Sequence, residues 1–468
     1  MQALFILLVW SVLIALGLSA PFVLGLAYIW VDLFRPQDVV PVVGQLISIS
    51  MITAVLAVGM YLVADRRDPP RLGLLTVLMM VWAGWITLTT TWALFPQDAW
   101  WKWDWAFKTV VFTALLPFVF RSRIQIEAAL MVLLCAVAAH VLPYSIKGLI
   151  SGGAYDRPLG LIAINAHWGG EGSTLATYAF ACLPLVAYLQ RHSLIAPATG
   201  IMRYVYMAAP LLALAGSFAT FARAAVIACL VWAALTWWQS RRKSLLAVAF
   251  VAAAIAIVPL MGERWVARIS TTLEPSQEES AHTRLIVWGW TIDFANQHPA
   301  GGGFNAYHAN FIVTPGPDGV DIITEARAFH SVYFEILGEH GWIGLGIFAA
   351  LLAVMFFDMW RVRRASRGDP ELEWLGDLAR ALSHAMLIFM AGGAFVGIAF
   401  YPLHYYLFAF AVCARAALQR ARRGVAVAPA ATDPGADPAV AASRHLPAWR
   451  IRAAGTKDPA RRTAHGQG

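Results

Sequence analysis

Charge is what this sequence has least of. Only 13% of its 468 residues are Asp, Glu, Lys or Arg, against about a quarter in a soluble domain. That scarcity excludes a water-soluble globular enzyme. Cysteine is nearly absent too. The four cysteines, Cys135, Cys182, Cys229 and Cys413, all fall inside apolar runs, which excludes a disulfide framework and a thiolate metal set. The chain has no internal repeat, no phosphate-binding glycine loop of the Walker or GxGxxG type and no zinc-type Cys/His spacing; nucleotide-driven chemistry therefore has no visible foothold. The apolar first 20 residues have no basic n-region and Ala20-Pro21 is a poor cleavage site, so an uncleaved first helix is expected rather than a signal peptide.

What is abundant is apolar sequence. Hydrophobic residues make up 59% of the chain, and the mean hydropathy is +0.63. A bilayer core takes about 20 apolar residues per helix. Twelve stretches qualify: 2–19, 41–64, 72–94, 104–120, 124–147, 171–190, 203–218, 224–240, 244–261, 341–360, 377–398 and 402–419. A thirteenth run, Pro21 to Phe34, is short and ends in Asp32 and Arg35, as a re-entrant or interfacial helix would. Tryptophans gather at segment ends, for example Trp100, Trp101, Trp103 and Trp105, in the manner of an interfacial belt.

The net charge of +8 is a topogenic signal and not a nucleic-acid footprint. If each stretch spans once, the runs Arg66/Arg67/Arg71, Arg121/Arg123, Arg191/Arg203, Arg241/Arg242/Lys243, Arg361/Arg363/Arg364/Arg367 and Arg420/Arg422/Arg423 share one face. By the positive-inside rule that face is the cytoplasm, with both termini on it. The expected fold is all-α: a polytopic membrane domain over residues 1–419, one large outer loop at 262–329 between spans 9 and 10, and a disordered cytoplasmic tail over 420–468. The loop carries an amphipathic segment from His282 to Gln297, the turn Gly301-Gly302-Gly303 and a Pro/Gly/Asp stretch from Thr314 to Gly319. Short surface helices are the expectation for it.

Four arginines break the charge rule. Arg157, Arg223, Arg284 and Arg327 fall on the outer face, near His330. Arginine is costly there unless it has work to do. Its planar fork grips phosphate oxygens in pairs, so the set suits a phosphate-rich substrate. Blander roles stay open: Arg223 as an interfacial residue at its turn, Arg284 on a solvated face, Arg157 beside Asp156, and Arg327 beside Glu325. His330 opens a helical stretch, where the macrodipole and nearby arginines keep an imidazole neutral and able to accept a proton. Glu335 and Glu339 could orient His330, bind sugar hydroxyls, or be polar residues of the helix start. No Asp-x-Asp pair occurs in the outer loops, and Asp318 and Asp321 are separated in a Pro/Gly stretch, so neither a metal nor a cofactor is expected.

His330-Ser331, nine residues, then Gly341-Trp-Ile-Gly344 resembles the ligase motif of the O-antigen ligase and polymerase superfamily. As in that family, it directly follows the largest outer loop. Arg223 after the seventh span and Arg284 early in the loop sit where such enzymes carry essential arginines. The segment Gly25 to Gln37 resembles a subgroup of O-glycosylation ligases linked to exosortase systems. The resemblance implies a bacterial inner-membrane glycosyltransferase of the GT-C-like kind with its active site facing the periplasm. Its donor would be an undecaprenyl-pyrophosphate-linked glycan and its acceptor a sugar hydroxyl of lipid A–core. Protein O-glycosylation or glycan polymerisation from the same donor would be the alternatives. His330 would be the base and Arg223 and Arg284 the diphosphate grips, with Arg157 and Arg327 behind them. A flippase would place charges along a midplane path between broken helices; here they gather at one face.

Overall fold

The computed structural model describes residues 2–39, 48–64, 72–151, 172–220, 222–260, 279–315 and 321–427. A helix lies on each of the twelve apolar stretches. In chain order the helices are α1 (Gln2–Ser19), α2 (Phe22–Phe34), α3 (Pro36–Val39), α4 (Ile49–Ala64), α5 (Leu74–Thr90), α6 (Pro96–Val119), α7 (Arg123–Ser151), α8 (Gly172–His192), α9 (Gly200–Phe218), α10 (Arg223–Gln239), α11 (Lys243–Leu260), α12 (Glu279–Gln297), α13 (Val332–Ala365), α14 (Glu373–Gly393) and α15 (Leu403–Val427). An apolar run in lipid must satisfy its backbone groups within itself, and the helix does so. Local signals set several ends. Pro96 and Asp98 open α6, while Arg191 and His192 close α8 against its negative terminus.

Among the described residues, four helices are long and apolar enough to cross a membrane: Arg123–Lys147, Gly172–His192, Gly200–Phe218 and Val332–Ala365. Others, such as Ala3–Ser19, Ile49–Ala64 and Leu74–Thr90, are apolar but shorter. Large apolar side chains point outward along these helices, including Leu4, Phe5, Val63, Leu211, Leu230, Val248 and Ile255. Water does not tolerate such a surface but lipid does. This is a multi-pass membrane protein.

The chain divides into two compact units, residues 1–418 and 419–468. In the second, the described residues are the end of α15. That helix runs on to Val427, past residue 420 where the sequence reading begins its tail; residues 428–468 lie outside the described part.

In the first unit α8 packs against α14, α9 and α10, α13 packs against α5 and α14, and α2 packs against α7 and α4. Its core is aromatic. Trp82, Tyr178, Tyr405, Phe348, Phe389 and Phe400 are fully buried, and the Trp82 indole donates to Tyr405 Oη at 3.0 Å. Helix α2, too short to be read as a span, is pinned to this core by the Tyr406 hydroxyl, which donates to Asp32 at 2.8 Å. The four cysteines are free thiols.

The start of α7, the end of α8 and the start of α14 meet. Arg123 at the start of α7 donates to the carbonyl of His192 at the end of α8 at 2.5 Å. His192 lies 2.8 Å from Asp377 at the start of α14, and Arg380 pairs with the same carboxylate. The opposite ends of α5, α6 and α13 form the other cluster, described next.

Among its described residues the long loop holds α12, a short 3-10 turn at Ala306–Ala309 and, where short helices alone are expected, an antiparallel hairpin, Phe311–Pro315 (β1) with Asp321–Glu325 (β2), Phe311 facing Glu325. Proline and glycine between two β-branched runs favour this turn.

Candidate functional site

His330 stands just before α13, in the left-handed region at φ 47°. Ser331, in extended backbone, is the N-cap of α13. Five contacts fix this segment. The Trp288 indole on α12 donates to the Phe329 carbonyl at 2.9 Å. Trp288 also stacks on Phe334, one turn into α13, with ring centroids 4.8 Å apart. From the other side, buried Asn310 accepts from the Arg327 amide at 2.9 Å and donates to the Arg327 carbonyl at 2.7 Å. The Ala326 amide donates to the Asn310 carbonyl at 3.0 Å. A single asparagine thus holds the strand exit that leads to His330.

Arg284 lies on α12 one turn before Trp288, so both face the same side. The His330 pKa is lowered from the ordinary 6.5, first by partial desolvation, then by the Arg284 charge; Glu335 pushes it up, and Arg327 pushes it down. His330 is therefore neutral at ambient pH, the form a general base needs. Of the four arginines singled out in the sequence, Arg284 and Arg327 are close enough for their charge to act on His330. Arg223 is the first residue of α10, at the turn where the sequence reading puts it; its side chain lies outside the described residues, as does Arg157.

Glu335 and Glu339, which could orient His330 or bind sugar hydroxyls, both meet a lysine. They lie on consecutive turns of α13, and Lys102 of α6 bridges them: Nζ is 2.7 Å from Glu335 Oε1, 2.7 Å from Glu339 Oε1 and 3.0 Å from Glu339 Oε2. The remaining acceptor positions meet backbone. The Asn305 amide donates to Glu339 Oε1 at 2.9 Å and the Ala399 amide to Glu335 Oε2 at 3.0 Å. Glu339 has no exposed surface. The neighbouring His340 is equally buried; its Nδ1 lies 2.7 Å from Thr89 Oγ1, and its ring sits edge-on to Trp82, Phe304 and Phe400.

The first motif glycine, Gly341, follows from packing. At Gly341 the helix breaks, at φ 69° and ψ −171°, and the loop glycines dock there: the Gly302 amide donates to the Gly338 carbonyl at 3.1 Å and the Gly303 amide to the Glu339 carbonyl at 2.9 Å. A Cβ on Gly341 would collide with the Pro299 carbonyl and the Gly301 amide. The break separates the polar first turns of α13 from the apolar length beyond, which explains why residues 330–340 and 341–360 read so differently.

Sequence reading missed Lys102 and Asn310. Lys102 was masked by its tryptophans, Trp101 and Trp103, which suggest an interfacial belt. The signal was its spacing: Ala99, Lys102, Ala106 and Val110 form one buried stripe on α6. A lysine on that stripe needs partners in the protein. Among the described residues no cluster of His, Cys, Asp and Glu has metal-site geometry.

With this geometry in view, two family models match the chain. Residues 207–349 match the one described as O-Antigen ligase, and residues 1–194 match one described as a family of unknown function. The first match runs from within α9 through the outer loop to the glycine break of α13, and so includes His330 and Arg284. It supports the O-antigen ligase and polymerase superfamily. No curated protein matches the chain. Lys102 and Thr89 come from the segment of unknown function, so the site draws on both matched segments.

Proposed function

We propose that this protein is an O-antigen ligase of the bacterial inner membrane. It would transfer glycan from undecaprenyl pyrophosphate to a sugar hydroxyl of lipid A–core at the periplasmic face. Twelve spans in a GT-C-like arrangement would carry the site. The observation that carries the reading is the setting of His330. It lies in the segment similar to O-antigen ligases, it is held neutral, and Arg284 and Arg327 stand beside it.

In this mechanism His330 takes the proton of the acceptor hydroxyl as its oxygen attacks the anomeric carbon. The bond from that carbon to the pyrophosphate oxygen breaks, and the anomeric centre inverts. Negative charge concentrates on the leaving diphosphate, where Arg223 and Arg284 would hold it, supported by Arg157 and Arg327. Arginines in this role replace a divalent metal. Glu335 would act on His330 through backbone and field rather than by gripping sugar.

The test is reconstitution of purified protein with undecaprenyl-pyrophosphate-linked glycan and, in separate reactions, lipid A–core, a pilin-type protein or no acceptor. A heavier lipid A–core product, absent with His330→Ala, is the expected result. A second reading, protein O-glycosylation, is favoured by the likeness of Gly25–Gln37 to exosortase-linked ligases; glycan on the protein acceptor would replace the first reading by that one. Glycan lengthening on its own carrier would mark a polymerase.

A further inference from the structure

We infer that Lys102 is a positioning residue for transfer: its ammonium group locks Glu335 and Glu339 together and so fixes the backbone on which His330 stands. The inference rests on His330 being the base.

A lone lysine on the outer side of a membrane enzyme invites a different role, that of another phosphate grip. The geometry excludes it. An ammonium group has three N–H donors, and Lys102 has three carboxylate oxygens within 3.0 Å. The rings of Phe304 and Phe400 lie 5.5 and 5.2 Å from the same nitrogen, and the residue is 8% exposed. No donor hydrogen and no open direction remain for a diphosphate.

What the bridge does hold is backbone. Each carboxylate it orients accepts from one main-chain amide of a different loop. Glu339 receives Asn305, and so fixes the loop that follows the glycine turn. Glu335 receives Ala399, in the turn between α14 and α15. That turn reaches His330: a Cβ built on Gly397 would be 3.3 Å from Glu335 Oε2 and 3.9 Å from the His330 amide nitrogen. Glu335 in turn donates its own amide to the Ser331 carbonyl at 2.8 Å. His330, in a left-handed conformation, therefore sits between the first turn of α13 and the turn of residues 397–399. Glu335 joins the two. Without Lys102 both side chains lose the group that orients them, and the turn relaxes.

The experiment compares wild type with Lys102→Met and with the triple variant Lys102→Met, Glu335→Gln, Glu339→Gln. The triple variant removes every charge of the network, so it leaves no unpaired buried ion should the single variant fail to fold. Two readouts are taken on purified full-length protein: kcat and donor KM for transfer from undecaprenyl-pyrophosphate-linked glycan, and amide hydrogen exchange of peptides containing Asn305 and Ala399. The expected result is a kcat lower by about tenfold or more, following the sensitivity of catalysis to small misplacements. Donor KM should stay within about twofold, and exchange at both amides should accelerate. Wild-type kcat in the triple variant overturns the inference. So does a tenfold rise in donor KM, which would make Lys102 a donor contact, and so does unchanged exchange at both amides. If wild type transfers to no acceptor, the functional reading fails; the exchange result still decides whether the clamp exists.

Discussion

The indole nitrogen of Trp288 donates to the carbonyl of Phe329 at 2.9 Å. This one bond ties the only long helix described in the outer loop to the residue preceding His330. Because Arg284 is one helical turn from Trp288, the same bond sets how closely a guanidinium approaches the imidazole. Trp288→Leu removes the bond and the stack on Phe334. We expect transfer to fall by about tenfold or more, as for misplaced catalytic groups, with the acid limb of the rate profile shifting upward as Arg284 moves away. An unshifted limb at normal kcat would show that α12 does not position the pair.

His330→Ala should lower transfer by about 100-fold or more, the usual scale of general-base contributions, with expression and donor binding unchanged. The pH dependence has a definite sign. The working form is neutral, and the pKa is lowered below the ordinary 6.5. Activity should thus persist through pH 6.5 and fall only as acid protonates the ring below it. A half-maximal point above 6.5 would rule out His330 as the titrating base.

Arg284→Lys and Arg223→Lys keep the charge but lose the planar fork. Each should weaken transfer by about 100-fold, the cost of losing one donor aimed at developing charge, and alanine should do little worse. Full activity in both lysine variants would remove bidentate diphosphate recognition from the mechanism.

Gly341→Ala and Gly346→Ala form a matched pair on α13. Gly341 is at φ 69° and in backbone contact with residues 299–301, whereas a Cβ on Gly346 meets nothing within 4 Å. The first should reduce the yield of folded protein sharply. The second should leave yield and activity unchanged, since alanine is favoured over glycine by about 1 kcal/mol inside a helix. Thermal unfolding of both variants in detergent checks this; equal stability would mean the glycine break is not required.

Chelation should leave transfer intact, because arginines and not a divalent ion are assigned to the leaving diphosphate. Loss of activity with EDTA, restored by a divalent metal, would overturn that assignment.

Apolar runs and their lengths determined the helices. Each run of some 20 residues has only one way to satisfy its backbone without water, so positions such as Gly172–His192 and Gly200–Phe218 were legible within a few residues. His330 and Arg284 could be proposed from sequence because charge on the wrong face needs a reason. The sequence could not show that Glu335 and Glu339 face inward to Lys102 rather than outward to sugar. A carboxylate on α13 reads the same in either case, and its partner is more than 230 positions away. Nor could it show the loop hairpin, the docking of Gly301–Gly303 on Gly341, or the grip of Asn310 on Arg327. These contacts join segments distant in the chain, and only the packing of α5, α6, α12 and α13 brings their backbones within hydrogen-bond reach. Sequence determined which residues could do chemistry; tertiary structure decided which are held in place to do it and which do the holding.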